Sequence, residues 1–165
     1  MSTASAITAA YPKMASYASD IVAVAGRLGI DPAWLANVIN FESGGGNPQA
    51  RNPTSGATGL IQFMPRTAAK LGTTTAALAA MTGKQQMAWV ERYFAPYKGR
   101  MTSQEDTFAA VFYPAAMGKG SGYTFSAAVQ KANPGIRTMG DYVRMATKRA
   151  RLAAPTVARR ASRWG

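Results

Sequence analysis

The chain has 165 residues and a net charge of +12, with 19 Lys and Arg against 7 Asp and Glu, 47% hydrophobic residues, no Cys and no His. The length suits one domain with a real core, because a chain of about 150 residues buries roughly 68–70% of its extended surface. The missing residue types exclude a disulfide scaffold, a thiolate zinc site, a cysteine nucleophile, a Ser-His-Asp triad and an HExxH metal site, so catalysis would fall to carboxylates, Lys, Ser, Thr or Tyr.

Met1 to Gly29 holds an apolar stretch at Ile21 to Ala25, opens without the basic residues of a secretory signal, and reads as a core helix. No run approaches the ~20 uninterrupted apolar residues of a membrane span, so a soluble chain is expected. Asp31-Pro32 ahead of Trp34, Leu35, Val38 and Ile39 predicts a helix with Asp at the N-cap and Pro at its first position, running to about Ser43. Gly44-Gly45-Gly46 stops it, and Asn47-Pro48, Asn52-Pro53 and Ser55-Gly56 make the stretch to Gly59 a turn-rich loop. Leu60 to Leu71 predicts one or two short helices broken at Pro65. Lys84 to Tyr97 is amphipathic, Ser103 caps a helix that places Phe108, Val111 and Phe112 inward and ends at Pro114, and Asp141 to Ala153 is a further helix. No stretch sustains a period of two, so the fold class is mainly α with little strand.

The charge is uneven. Lys131 to Gly165 holds nine basic residues and one acid, two-thirds of the net charge. Such a balance attracts polyanions: nucleic acid, an anionic membrane or an acidic wall polymer. Lys148, Arg149, Arg151, Arg159, Arg160, Arg163 and Trp164 around Leu152, Ala153, Ala154 and Val157 fit either a cationic amphipathic helix interrupted at Pro155 or a solvated charge run. No helix-turn-helix, zinc finger or aromatic RNA motif accompanies the charge, which disfavours nucleic acid.

Of the seven acids, Glu42 is the candidate for chemistry. It falls near the C-terminal end of an apolar helix, where the macrodipole and the neighbours Trp34, Ile39 and Phe41 raise a carboxyl pKa. A carboxylic acid kept protonated near neutral pH is what a glycosidic oxygen needs from a general acid. An exposed helix-end Glu is the alternative reading of the position alone. Asp31 sits eleven residues upstream, about 16 Å along the same helix, too far to share a reaction centre. Glu105 and Asp106 read as caps of a helix start.

The segment that begins at Glu42-Ser43 carries Asn47-Pro48-Gln49-Ala50, then Asn52-Pro53, then Gly56-Ala57-Thr58-Gly59-Leu60-Ile61-Gln62-Phe63-Met64-Pro65. It resembles the signature of the soluble lytic transglycosylases, relatives of goose-type lysozyme, over about 25 residues in order. Phe112-Tyr113-Pro114-Ala115-Ala116 stands where that family has A-Y-N-A-G, and Thr138 to Val143 resembles its closing T-x-x-Y-V, so the likeness spans roughly residues 20 to 150. Two departures stand out. Gly45-Gly46 replaces the aromatic before Asn47, which opens that wall, and Pro114 and Ala116 replace Asn and Gly, so no substrate contact from that Asn carries over. Y-P-A-A with G-L-I-Q-F-M-P is most similar to the bacteriophage branch.

The resemblance implies that Glu42 is the single acid/base. It would protonate the oxygen between N-acetylmuramic acid and N-acetylglucosamine and then take a proton from the muramic acid 6-hydroxyl, leaving a 1,6-anhydro end with no water and no second carboxylate, unlike the paired carboxylates of ordinary glycosidases. It further implies substrate contacts at Asn52, Ser55, Gly59, Gln62, Met64, Tyr113 and Tyr142, with the two tyrosines orienting Glu42 through their hydroxyls. Gly56 and Gly59 are expected to let the backbone turn and approach the sugar, Ser43 to close the helix, and Trp34, Trp89 and Phe94 to be core.

The expected architecture is a mainly α, lysozyme-like single domain over residues 1–165 with little or no β structure and a basic C-terminal helical tail at about 148–165. The expected activity is peptidoglycan cleavage by a phage endolysin or virion-borne enzyme, without metal, nucleotide or other cofactor. A hydrolytic muramidase and a wall-binding or virion structural protein are the alternatives. Expected partners are peptidoglycan glycan strands, anionic outer-membrane or wall polymers for the tail, and a holin-type pore or a virion for delivery from the host cytoplasm to the wall; the protein is expected to be a monomer.

Overall fold

The computed structural model describes residues 1–154. Nine α-helices pack among the described residues, and β pairing is confined to the isolated bridges Arg51–Thr58, Thr58–Phe63 and Thr124–Thr138. The mainly helical expectation is met. No described helix is long and apolar enough to cross a membrane.

The N-terminal segment is two helices rather than one. α1 (Thr3–Ala10) and α2 (Ala18–Leu28) are separated by a 3-10 turn over Pro12–Tyr17. Pro12 supplies no N–H and keeps Tyr11 out of helical backbone, at φ −132° and ψ 83°, which ends α1 there. α2 turns Ile21, Val24, Ala25 and Leu28 inward and ends at Gly29, whose φ of 72° suits a left-handed cap.

α3 (Pro32–Ser43) has the bounds its sequence predicts. The Asp31 carboxylate accepts the Ala33 N–H at 2.8 Å, Pro32 takes the first position, and Gly44 caps the far end at φ 58°. Trp34 through Ile39 are all buried, so α3 is enclosed on every side over this stretch and forms the centre of the core, against α1, α2 and α7 (Gln104–Phe112). One polar residue interrupts this run. Buried Asn37 accepts the Tyr11 hydroxyl at 2.6 Å and donates to Gln104 Oε1 at 2.8 Å and to the Leu152 carbonyl at 3.0 Å. Residues from four parts of the chain therefore meet on α3.

Leu60 to Met64 is not helical, because Gly59 and Gln62 both take positive φ and Thr58 and Phe63 exchange two backbone hydrogen bonds of 3.0 and 2.9 Å. Helix resumes at Pro65, which opens α4 (Pro65–Leu71) rather than breaking it. α5 (Thr75–Ala79) follows. α6 (Gly83–Phe94) starts in a capping box of Thr82 and Gln85 and buries Gln86, Met87, Val90 and Phe94. Ser103 caps α7 through the Asp106 N–H, as expected; Phe108 is fully buried, Val111 and Phe112 partly.

After α8 (Ala127–Ala132), the last helix α9 runs Met139–Ala146, not 141–153. Residues 147–154 form a turn and irregular backbone instead, because their main chain is engaged elsewhere: Asn40 donates to the Arg149 carbonyl at 3.2 Å, Asn37 to Leu152, and the Arg151 N–H donates to the Tyr11 hydroxyl at 2.7 Å. Of the helical tail expected at 148–165, the part to 154 is thus non-helical, and 155–165 lies outside the described residues.

Candidate active site

Glu42 occupies the last turn of α3. Its side chain is partly accessible through a cleft of about 490 Å³ lined by Asn47, Ala50, Arg51, Asn52 and Gln62. Burial pushes the carboxyl up to about 7, and the negative end of the α3 dipole acts in the same direction. Among the described residues no cation offsets this, although Arg51 also lines the cleft. Lys13 lines the same cleft, but its ammonium donates to the Gly44 carbonyl at 2.9 Å. A carboxyl raised toward neutral pH can both give up and regain a proton there, which a general acid that must later act as base requires.

The remaining six acids are committed elsewhere. Asp20, Glu91 and Asp141 pair with Lys84, Arg27 and Arg144. Asp31 caps α3, Glu105 accepts the Ser121 hydroxyl at 2.6 Å, and Asp106 accepts from the Thr102 N–H and hydroxyl and from the Gly118 N–H. Asp106 is a buried staple between two loops rather than a plain cap. Glu42 is thus the single carboxyl on the cleft.

The loop from Gly44 to Phe63 forms the cleft wall, and its shape follows from three side chains. Asn52 Oδ1 accepts the Thr54 and Ser55 N–H groups at 2.9 and 3.2 Å, an Asx turn that spends its oxygen locally. Gln62 is the one non-glycine with positive φ among the described residues, at 56°, and its amide donates to the Ala50 and Gly59 carbonyls, each at 3.0 Å. Holding such backbone costs on the order of 1 kcal/mol, a cost found mainly at functional sites. Gln86, fully buried on α6, accepts the Leu60 N–H at 2.9 Å and donates to the Pro48 and Leu78 carbonyls at 2.6 and 2.8 Å. Gly59 must be glycine here: its φ is 90°, and a Cβ would stand 2.6 Å from Gln86 Oε1.

An aromatic group adjoins Glu42. Tyr142 stacks on Phe112 with centroids 4.0 Å apart and meets Phe41 edge-on at 6.0 Å. Burial first, and the Glu42 charge after it, push the Tyr142 phenol far above its ordinary value; Tyr93 on α6 is raised by the same two causes together with Tyr97, and donates to the Ala110 carbonyl. Both phenols thus stay neutral beside the carboxyl. Tyr113 packs at 5.4 Å from Phe125 and 6.1 Å from Tyr123. Among the described residues neither Tyr113 nor Tyr142 hydrogen-bonds Glu42.

The structure brings Asn52 and Gln62 to the cleft with Glu42 and sets Tyr142 beside it. Gly59 lies buried under the loop, Ser55 is exposed with its hydroxyl accepting the Ala57 N–H, and Met64 is 46% exposed at the start of α4. Ser43 closes its helix through the Ile39 carbonyl at 2.8 Å, and Gly56 takes φ 76°. Trp34 and Phe94 are core, whereas Trp89 is half-buried under Arg92. Sequence reasoning missed Lys13, Gln86 and Tyr93. Gln86 had a readable signal, a polar residue four and eight positions before Val90 and Phe94 on an otherwise apolar stripe.

No match was found among curated proteins or among solved structures. Residues 21–91 match the family model of the transglycosylase SLT domain, a span that runs from α2 into α6 and includes Glu42, the cleft loop and Gln86. This match indicates that the protein is a peptidoglycan lytic transglycosylase.

Proposed function

We propose that Glu42 is the acid and base of this reaction, and that the enzyme serves a phage in host lysis or wall penetration. The Glu42 proton passes to the oxygen linking N-acetylmuramic acid to N-acetylglucosamine, the C1–O bond breaks, and positive charge develops at C1. The carboxylate then takes the proton of the 6-hydroxyl as that oxygen bonds C1, which returns Glu42 to its acid form and leaves a 1,6-anhydro end. Atoms balance without water, so no second carboxylate is needed. The observation that carries this reading is the carboxyl of Glu42, raised to about 7 and alone on the cleft.

Asn52, Gln62 and Tyr142 are assigned to the bound sugars or to the shape of the cleft, with Ser55, Gly59, Met64 and Tyr113 as flanking contacts. The Y-P-A-A and G-L-I-Q-F-M-P segments support the phage branch. In that role one catalytic domain, a monomer, reaches the wall through a holin-type pore or inside a virion, and its basic C-terminal residues lean on anionic wall or outer-membrane polymers. Digestion of purified peptidoglycan by the wild type and by Glu42→Gln tests the chemistry. Products one water lighter than hydrolysis products, absent with the variant, are expected. Reducing-end products would make the enzyme a hydrolytic muramidase, and no products from either protein would favour a wall-binding role.

A further inference from the structure

A second cavity, of about 560 Å³, adjoins the cleft at Lys13 and Gly44, which line both. Its volume is within the roughly 300–1,000 Å³ of small-ligand pockets. Its walls are apolar, with Tyr11, Phe41, Met145 and Ala146, while Lys13, Lys148, Arg149 and Arg151 contribute four cations and no acid lines it. All seven acids of the chain are accounted for away from this cavity, in ion pairs, caps, loop staples and the cleft. Lys13 and Arg151 are tied to the Gly44 and Ala10 carbonyls, which fixes their place, while the Lys148 and Arg149 side chains have no ion-pair partner among the described residues. Gathering like charges is unfavourable unless a counter-charge arrives, so the cavity suits a ligand with a short apolar body and anionic groups.

We propose that this cavity holds the carboxylate-bearing peptide stem of the glycan strand whose sugars lie over Glu42, an inference that rests on the transglycosylase reading. Continuity of the two cavities is the main argument. A stem is covalently joined to a sugar and must leave the cleft nearby. Gly44 and Lys13 line both spaces, and an added Cβ at Gly44 meets nothing within 4 Å, so no side chain of that residue stands between them. Short aliphatic residues with several carboxylates match apolar walls and a cationic rim. Residues 155–165 are unsuited as the occupant, because Arg159, Arg160 and Arg163 carry the same sign as the rim. An anionic lipid matches the charge but not the continuity with the cleft.

The test is a titration of the full chain, labelled at its methionine methyl groups, with a sugar-free stem peptide, with the same peptide amidated at its carboxylates, and with phosphatidylglycerol vesicles. The Met145 methyl, on the cavity wall, is expected to shift saturably with the acidic peptide and not with the amidated one. In Lys148→Gln/Arg149→Gln the binding is expected to weaken roughly tenfold, the loss of two charge-assisted contacts. A Met145 signal unmoved by the acidic peptide, moved equally by both peptides, or moved by vesicles alone overturns the proposal. The readout needs no bond cleavage, so a failed titration leaves the transglycosylase reading standing, and missing anhydro products would overturn that reading whatever the titration gives.

Discussion

Gln86 on α6 accepts the Leu60 N–H through its side-chain oxygen at 2.9 Å while its amide holds Pro48 across the loop, so one buried side chain joins the two halves of the cleft wall. Replacing it by Met keeps the volume and orphans the Leu60 N–H and the Pro48 carbonyl, while the Leu78 carbonyl retains the Met81 N–H at 3.0 Å. We expect a loss of about 3 kcal/mol in denaturant unfolding, the usual result of leaving buried partners unpaired, and a fall in kcat beyond what the unfolded fraction explains. Stability within ~0.5 kcal/mol of wild type would show that other contacts hold the loop.

Because burial raises the Glu42 carboxyl to about 7 from an ordinary value of 4.5, the folded state prefers the proton more than the unfolded state does. The sign follows: the stability associated with this group is fully present below pH 4.5 and is lost as pH rises through about 7. Glu42→Gln is therefore expected to be inactive yet more stable than wild type at pH 8, by about 2 kcal/mol, and no more stable at pH 4. Thermal melts of both proteins at the two pH values decide this, and a gap independent of pH would contradict the raised pKa.

Asp106 provides the acceptors for the Thr102 and Gly118 N–H groups. Asp106→Asn should lower stability by about 2 kcal/mol while the released muropeptides keep their anhydro ends. A switch to hydrolysis products, or an inactive but fully stable variant, would instead give Asp106 a part in the chemistry.

At Gln62 backbone and side chain make opposite demands. Gln62→Gly relieves the positive φ and should change stability by no more than ~1 kcal/mol, while removing the amide that spans Ala50 and Gly59. Turnover of peptidoglycan is expected to fall at least ~10-fold, in proportion to the cleft's loss of preorganisation. A fully active glycine variant would show that the strain serves no purpose in the reaction.

The sequence was most legible where local chemistry and tertiary packing agree. Asp31, Pro32 and Gly44 bound α3 to the residue, because cap, proline and left-handed glycine are each satisfied by neighbours in the chain. The buried helix-end setting of Glu42 was readable for the same reason, since its helix end and its apolar neighbours are local facts. Leu60 to Met64 misled, because an apolar run at helical spacing was overridden by the positive φ of Gly59 and Gln62 and by the Gln86 clamp from 26 residues away. Lys13 and residues 147–154 were illegible in the same sense. Their positions depend on Gly44, Asn37 and Tyr11, partners that only the folded chain brings near.

The meeting of Tyr11, Asn37, Gln104 and Leu152 on α3 also sets an order of assembly. Asn37 is buried, and its donors and acceptor find their full set of partners only when residue 152 has docked against residue 11. On a ribosome the helix that carries Glu42 emerges early, yet its polar centre stays incomplete until more than a hundred later residues have been made. A chain cut short after α9 is therefore expected to leave that helix loosely seated, so that lytic capacity arrives with the finished polypeptide and not in proportion to its length.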